Sequence, residues 1–181
     1  MRVLAISGSL RSGSNSTALL RALREEAPAG TEVLLWDGLK AIPPYDEDDE
    51  HLRPEAVQAL CDAIRNADAV LVSTPEYNHS LPGQLKNALD WLSRPLEDSP
   101  LKGKPAAVVG ASTGLFGAVW AQAEGRKVLA AIGAKVIDRE LPVGMADYAF
   151  TDDGTLVDDG HTATLAEILT ELGGRVSVPV A

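Results

Sequence analysis

The residues with the clearest chemical potential form a short polar segment near the amino terminus, residues 8–17. The segment reads Gly-Ser-Leu-Arg-Ser-Gly-Ser-Asn-Ser-Thr and follows directly on the apolar run at 3–6. A loop that leads from a strand into a helix presents free backbone N–H groups and the positive end of the helix dipole to an anion. Hydroxyl donors and a guanidinium suit the oxygens of a phosphate. The side chains that could donate in this way are Ser9, Arg11, Ser14, Ser16 and Thr17.

Two common kinds of phosphate loop do not fit this segment. Gly8 and Gly13 have the spacing of a nucleoside-triphosphate loop, but Ser14 and Asn15 stand where that loop needs a lysine and a hydroxyl residue. The dinucleotide fingerprint G-x-G-x-x-G is also absent. A terminal monophosphate, such as that of flavin mononucleotide (FMN), therefore fits best. The alternative is a plain Ser/Gly-rich turn whose polar side chains only cap the next helix.

A second polar segment, residues 73–91, follows another apolar run of strand length. Its first half contains two prolines, which stiffen the chain, and a glycine, and it exposes backbone donors and acceptors. Asn78 offers both a donor and an acceptor, which suits the imide edge of a flavin. Tyr77 offers an aromatic face. The alternative is an ordinary loop without a ligand.

Both segments resemble those of the NAD(P)H-dependent FMN reductase family, which includes bacterial quinone, chromate and azo-dye reductases. Pro-Glu-Tyr-Asn at 75–78 and Leu-Lys-Asn-Ala-Leu-Asp-Trp at 85–91 resemble the flavin-ring loop and the helix that follows it. Gly-Ala-Ser-Thr-Gly-Leu-Phe-Gly at 110–117 provides a third match. The resemblance spans residues 3–137. It departs from the family at Gly117-Ala118, where two glycines are usual.

The resemblance implies roles for individual residues. The first loop would bind the FMN phosphate, the second would lie against the isoalloxazine ring, partly through backbone atoms, and the third would approach the far edge of the ring. No catalytic side chain and no metal is required, because the flavin carries the chemistry. The predicted FMN-binding residues are Ser9, Arg11, Ser14, Asn15, Ser16, Thr17, Pro75, Glu76, Tyr77, Asn78, Ser112 and Gly114.

The resemblance also implies a reaction. NAD(P)H would give hydride to the flavin, and a quinone or similar electrophile would then accept two electrons in the same pocket, in a ping-pong cycle. A homodimer or homotetramer would place the flavin near the subunit interface, with helix 84–92 and the two acidic loops at 43–50 and 151–160 as candidate contacts. Two alternatives stay open: an electron-transfer flavodoxin-like carrier without NAD(P)H activity, and a non-enzymatic α/β module that binds another phosphate.

Apolar runs of strand length alternate with helical patterns along the chain. Such runs are typical of strands buried on both faces of a parallel sheet. We therefore predict an α/β fold with a doubly wound parallel sheet, whose ligand binds at the carboxyl ends of the strands. The family resemblance implies the details: a flavodoxin-like three-layer sandwich with a five-stranded parallel sheet of order 2-1-3-4-5. The predicted strands are 3–6, 33–36, 69–73, 106–109 and 135–137. The predicted helices are 17–27, 54–66, 84–92, 118–132 and 163–172.

The composition limits the classes of partner. A length of 181 residues suits a single FMN-binding domain over 1–181. The net charge of −10 argues against nucleic acid or an anionic membrane as a partner. The first apolar run is too short for a signal sequence or a membrane span. Cys61 is the single cysteine, which excludes an internal disulfide and fits a cytoplasmic location; its place on an apolar helical stripe predicts a core position.

Overall fold

A computed structural model describes residues 1–176 of the chain. Its centre is a parallel sheet in which the strands lie in the order β2-β1-β3-β4-β5, with β6 also paired to β4. The predicted sheet order is therefore confirmed. The strands are β1 (Arg2–Ser7), β2 (Glu32–Trp36), β3 (Ala69–Thr74), β4 (Pro105–Ala111), β5 (Lys135–Val136) and β6 (Pro142–Val143).

The fifth position of the sheet is shared by two short strands. β5 pairs with the start of β4 and β6 pairs with its end, while residues 138–141 lie between them. The buried amide of Gln122 holds this stretch: its Oε1 accepts from the N–H of Leu141 at 3.0 Å, and its Nε2 donates to the carbonyl of Gly117 at 2.9 Å. The fifth strand predicted from the sequence is thus only the first part of an interrupted sheet edge.

Helices cover both faces of the sheet. One hydrophobic core lies between one face of the sheet and helices α1 and α5. A second core lies between the other face and helices α2, α3 and α4, which gives the predicted three layers. None of the helices in the described part of the chain is long and apolar enough to cross a lipid bilayer. The helices are α1 (Asn15–Glu25), α2 (Glu55–Arg65), α3 (Gly83–Leu92), α4 (Val119–Ile132) and α5 (Asp159–Arg175).

Two local features of the helices bear on the sequence predictions. α5 begins at Asp159 and not at residue 163, because the carboxylate of Asp158 accepts from the N–H of Gly160 at 2.7 Å and caps the helix. Cys61, on the buried face of α2, lies in the core with 1% of its surface exposed, as its apolar stripe predicted. Burial raises the pKa of its thiol, which makes it a packing residue and a poor nucleophile.

The acidic segment at 43–50, which follows β2, takes a path set by α3. The carbonyl of Pro43 accepts two hydrogen bonds, from Asn87 Nδ2 at 2.8 Å and from Trp91 Nε1 at 2.9 Å. Asn87 Oδ1 in turn accepts from the N–H of Tyr45 at 2.7 Å. The ring of Tyr45 packs edge-on against the buried indole of Trp91, with 5.1 Å between ring centroids. Two side chains of α3 therefore fix the main chain of this segment.

The carboxyl ends of β1, β3 and β4 lie side by side in the sheet. β1 pairs with β3 and β3 pairs with β4, in register over most of their lengths. The three loops that follow these strands therefore meet at one edge, as expected for the ligand site of an open parallel sheet.

Candidate functional site

The first of these loops, residues 8–14, is called the phosphate loop below, and two polar side chains hold its end in place. Ser14 is the N-cap of α1, since its Oγ accepts from the N–H of Thr17 at 3.2 Å. Thr17 Oγ1 donates to Ser7 Oγ at 2.9 Å. The sequence predicts both hydroxyls as phosphate contacts, and the structure gives each a further role in fixing the junction of β1, the loop and α1.

Ser16 differs from these neighbours because its hydroxyl has no protein partner. The residue is 2% exposed, and its Oγ makes no hydrogen bond within residues 1–176. It lies in the first turn of α1, where backbone N–H groups are also free of helical partners. A buried hydroxyl without a partner costs free energy. A ligand oxygen at the start of α1 would satisfy it, so the site fits a phosphate group.

The second loop, residues 75–82, is called the ring loop, and it contains a two-residue turn. Asn78 and His79 have φ values of 54° and 60°. Tyr77 and Ser80 close the turn with two backbone hydrogen bonds of 3.1 and 3.2 Å. Asparagine tolerates the left-handed conformation better than most residues, and it favours this type of turn. Asn78 therefore has a backbone reason for its position, apart from any contact with a flavin.

Carboxylates join the ring loop to α4. Glu76 Oε2 accepts from the N–H groups of Trp120 and Ala121, at 3.0 and 3.1 Å, in the first turn of α4. A negative charge is favourable at this end of a helix. One turn further along, Glu124 accepts a hydrogen bond from the hydroxyl of Ser80, the main reason that the pKa of Glu124 lies below its ordinary value. The ring loop is therefore anchored to α4 by two acidic side chains, Glu76 and Glu124.

The third loop, residues 112–117, is held by the chain that follows β6. The N–H of Ser112 donates to the carbonyl of Val143, and the N–H of Met145 donates to the carbonyl of Gly114, each at 3.0 Å. These backbone hydrogen bonds continue the pairing of β4 with β6 beyond the carboxyl ends of the two strands. They fix Ser112 close to the end of β4, where the resemblance places the far edge of the flavin.

Gly144, directly after β6, lies very close to the main chain of the third loop. A Cβ at this position would lie 2.2 Å from the carbonyl oxygen of Leu115, so no side chain fits there. Gly117 and Ala118, where the family usually has two glycines, have φ values of 55° and 61°. The two glycines usual in the family therefore suit the left-handed backbone conformation of these two positions. This chain adopts the same conformation with alanine at the second position. No motif in the sequence had marked Gly144.

The three loops enclose a narrow cleft of about 100 Å³. Thr17, Asn78 and Gly114, all predicted as FMN contacts, do not line it. Ala111 and Thr113 do line it and were missed, although both flank a predicted contact. No group of three or more acidic, histidine or cysteine side chains in the described residues is placed to hold a metal ion. The predicted residues that line the cleft are Ser9, Arg11, Ser14, Asn15, Ser16, Pro75, Glu76, Tyr77 and Ser112.

The sequence of the chain matches that of a known family. The family described as NADPH-dependent FMN reductase matches residues 1–147. The chain belongs to this family. An NAD(P)H-dependent FMN reductase of Pseudomonas aeruginosa is 45% identical over 161 residues, which cover 88% of this chain and 86% of that protein. A quinone reductase of Escherichia coli is 39% identical over 177 residues, covering 96% and 94% of the two chains.

A solved structure agrees with this assignment. FerB, a flavoenzyme NAD(P)H:(acceptor) oxidoreductase of Paracoccus denitrificans, superposes with a TM-score of 0.86 at 35% identity, over 97% of this chain and 96% of that one. The family resemblance predicted from the three loops is confirmed. As a member of this NADPH-dependent FMN reductase family, the chain is an oxidoreductase with FMN as its cofactor and NAD(P)H as its electron donor.

Proposed function

We propose that this protein transfers two electrons from NAD(P)H to a quinone or a similar electrophile in a ping-pong cycle at the cleft. The observation that carries the proposal is the meeting of the phosphate loop, the ring loop and the third loop around the unpartnered hydroxyl of Ser16. A flavin phosphate at the start of α1 would leave the ring to extend toward the other two loops.

The residues of the cleft divide into two groups by their chemistry. Arg11, Ser9 and Ser16 offer one charge and two hydroxyls to the phosphate, beside the free N–H groups at the start of α1. Pro75 and Tyr77 offer apolar surface, and Ser112 adds a hydroxyl from the third loop. Bound FMN would accept hydride from NAD(P)H and pass two electrons to the acceptor.

The anchoring of the loops has a function in this scheme. The carboxylate of Glu76 holds the ring loop to α4, and the main chain around Gly144 holds the third loop to β6. Both walls of the cleft are thereby held in position before any ligand binds, which limits the conformational entropy lost on binding. The side chain of Tyr77 is half exposed, so the cleft is open to solvent on that side. Donor and acceptor would enter there in turn.

Quinones are the acceptors we favour because one close relative is itself named a quinone reductase. The main alternative is a flavodoxin-like electron carrier, which would bind FMN on the same loops without reacting with NAD(P)H. Anaerobic mixing of FMN-loaded protein with NADPH distinguishes the two. A reductase loses its visible flavin absorption, and addition of a quinone restores it. Absorption that persists for minutes would identify a carrier.

We also propose that the protein forms a homodimer or homotetramer. Several large apolar side chains remain exposed on the ring loop, the third loop, the start of α4 and residues 145–148, and large exposed apolar patches often mark protein interfaces. Helix α3 and the acidic loops stay candidate contacts as well, although Trp91 packs inside its own chain. Sedimentation at micromolar concentration should give a dimer or larger species, and a monomer would contradict the proposal. The exposed side chains are Tyr77, Leu115, Phe116, Trp120, Met145 and Tyr148.

A further inference from the structure

A second cavity, of about 460 Å³, lies on the other side of the phosphate loop. It opens between α1 and the residues that follow β2, and it shares only Ser9 and Arg11 with the cleft. Its wall beside β2 is partly apolar, with Leu35, Trp36 and Leu39 among its residues. Neither the family assignment nor the proposed reaction gives this cavity a role.

Four cationic side chains line this cavity. Arg11 comes from the phosphate loop, Arg21 and Arg24 come from α1, and Lys40 comes from the short 3-10 helix Gly38–Ala41 after β2. Arg21 and Arg24 are three residues apart, so they lie on one face of α1 and both reach the same side of the loop. Asp37 is the single carboxylate among the described residues that line the cavity.

These cations are largely without ion-pair partners. In the part of the chain that the structure describes, no carboxylate lies within ion-pairing distance of Arg11, Arg21 or Lys40. Arg24 pairs with the exposed carboxylate of Glu25 at 3.2 Å. The whole chain carries a net charge of −10, so a local excess of positive charge runs against its composition. Such a field attracts anions to the cavity that it surrounds.

We propose that this cavity binds the phosphate groups of an adenine nucleotide. Guanidinium groups recognise phosphate oxygens with paired hydrogen bonds, and an apolar aromatic wall beside them suits a flat base. Two sources supply this chemistry. One is the adenosine half of the NAD(P)H donor, an assignment that rests on the proposed function. The other is a free nucleotide that binds independently of the reaction.

The test compares two double variants with the same change of charge. Arg21→Gln with Lys40→Gln removes two cations from the cavity and leaves the FMN cleft intact, since neither residue lines that cleft. Lys102→Gln with Lys135→Gln removes two exposed cations at the opposite edge of the sheet, near the start of β4. Adenosine 2′,5′-bisphosphate is titrated into each FMN-loaded protein by calorimetry.

We expect the wild type and the Lys102/Lys135 variant to bind the bisphosphate alike. The Arg21/Lys40 variant should bind at least about tenfold more weakly, because each lost hydrogen bond to a charged group is worth roughly 1.5–3 kcal/mol. Binding by the wild type should also weaken as salt is added. The absence of binding to the wild type, or equal binding by the two double variants, would overturn the proposal.

Steady-state kinetics then separate the two sources. If the donor occupies the cavity, the bisphosphate competes with NADPH, and the KM for NADPH rises about tenfold in the Arg21/Lys40 variant, as expected for lost charge-assisted hydrogen bonds. If a free nucleotide is the ligand, calorimetry still shows the tenfold loss while the KM for NADPH stays at the wild-type value. Failure of the proposed reaction would appear separately, as an FMN-loaded protein that NADPH does not bleach.

Discussion

A Gly144→Ala variant is expected to lose about 3 kcal/mol of its free energy of unfolding, the upper part of the usual cost of overpacking. The added Cβ would lie 2.2 Å from the carbonyl oxygen of Leu115 and 2.9 Å from its carbonyl carbon. Both are backbone atoms, so no rotation of a side chain relieves the overlap. The third loop must move away from β6, which displaces Ser112 from the cleft. FMN binding should weaken by about tenfold or more, because the loop no longer presents its hydrogen bonds in place.

Gly83→Ala is the matched control. Gly83 is the first residue of α3, and no atom would lie within 4 Å of a Cβ built on it. Alanine favours helix by about 1 kcal/mol over glycine in a helix interior, so the control should be neutral or slightly stabilising. Urea denaturation of the apoprotein and fluorescence titration with FMN measure the two effects. Equal stability of the two variants would mean that the contact between the third loop and Gly144 is not required.

A Ser16→Ala variant should change stability and ligand affinity in opposite directions. Its hydroxyl is buried without a partner, so removing it should raise the free energy of unfolding of the apoprotein by about 1 kcal/mol. The same hydroxyl is the group that we expect to donate to the FMN phosphate. A hydrogen bond to a charged group is worth roughly 1.5–3 kcal/mol, so FMN affinity should fall about ten- to hundredfold.

Ser14→Ala provides the contrast for stability. The hydroxyl of Ser14 accepts from the N–H of Thr17 and caps α1, so its removal should lower the free energy of unfolding by about 1 kcal/mol. Two substitutions of the same kind, two residues apart, should therefore shift the denaturation midpoint of the apoprotein in opposite directions. A loss of stability in Ser16→Ala with unchanged FMN affinity would show that this hydroxyl serves the fold and not the ligand.

Features that depend on local sequence were predictable. Near-continuous apolar runs identified the main strands, and the polar segments at their ends identified the loops that form the cleft. Glycine, serine and arginine in the first loop indicated an anion site. This could be predicted because these residue types suit an anion whatever distant residues surround them. The strand order followed from the family resemblance, and the structure has the same order.

Features that depend on contacts between distant residues were not predictable. Glu76 stands in the ring loop, yet its carboxylate meets α4, more than forty residues later in the sequence. Gly144 matters only because the third loop crosses it. The sheet edge divides into β5 and β6 because the buried amide of Gln122 holds the chain between them. In each case the deciding partner lies far along the chain, and no local pattern encodes it.

The way in which α3 holds the acidic segment has a consequence for sequence variation. Asn87 and Trp91 bind the main chain of Pro43 and Tyr45, so most of these contacts do not depend on which side chains the segment carries. Residues 46–49 can therefore diverge among homologues, or be rewritten by design, while the segment keeps its course. This stretch of surface offers a place to graft a new recognition sequence without disturbing the main chain that α3 holds.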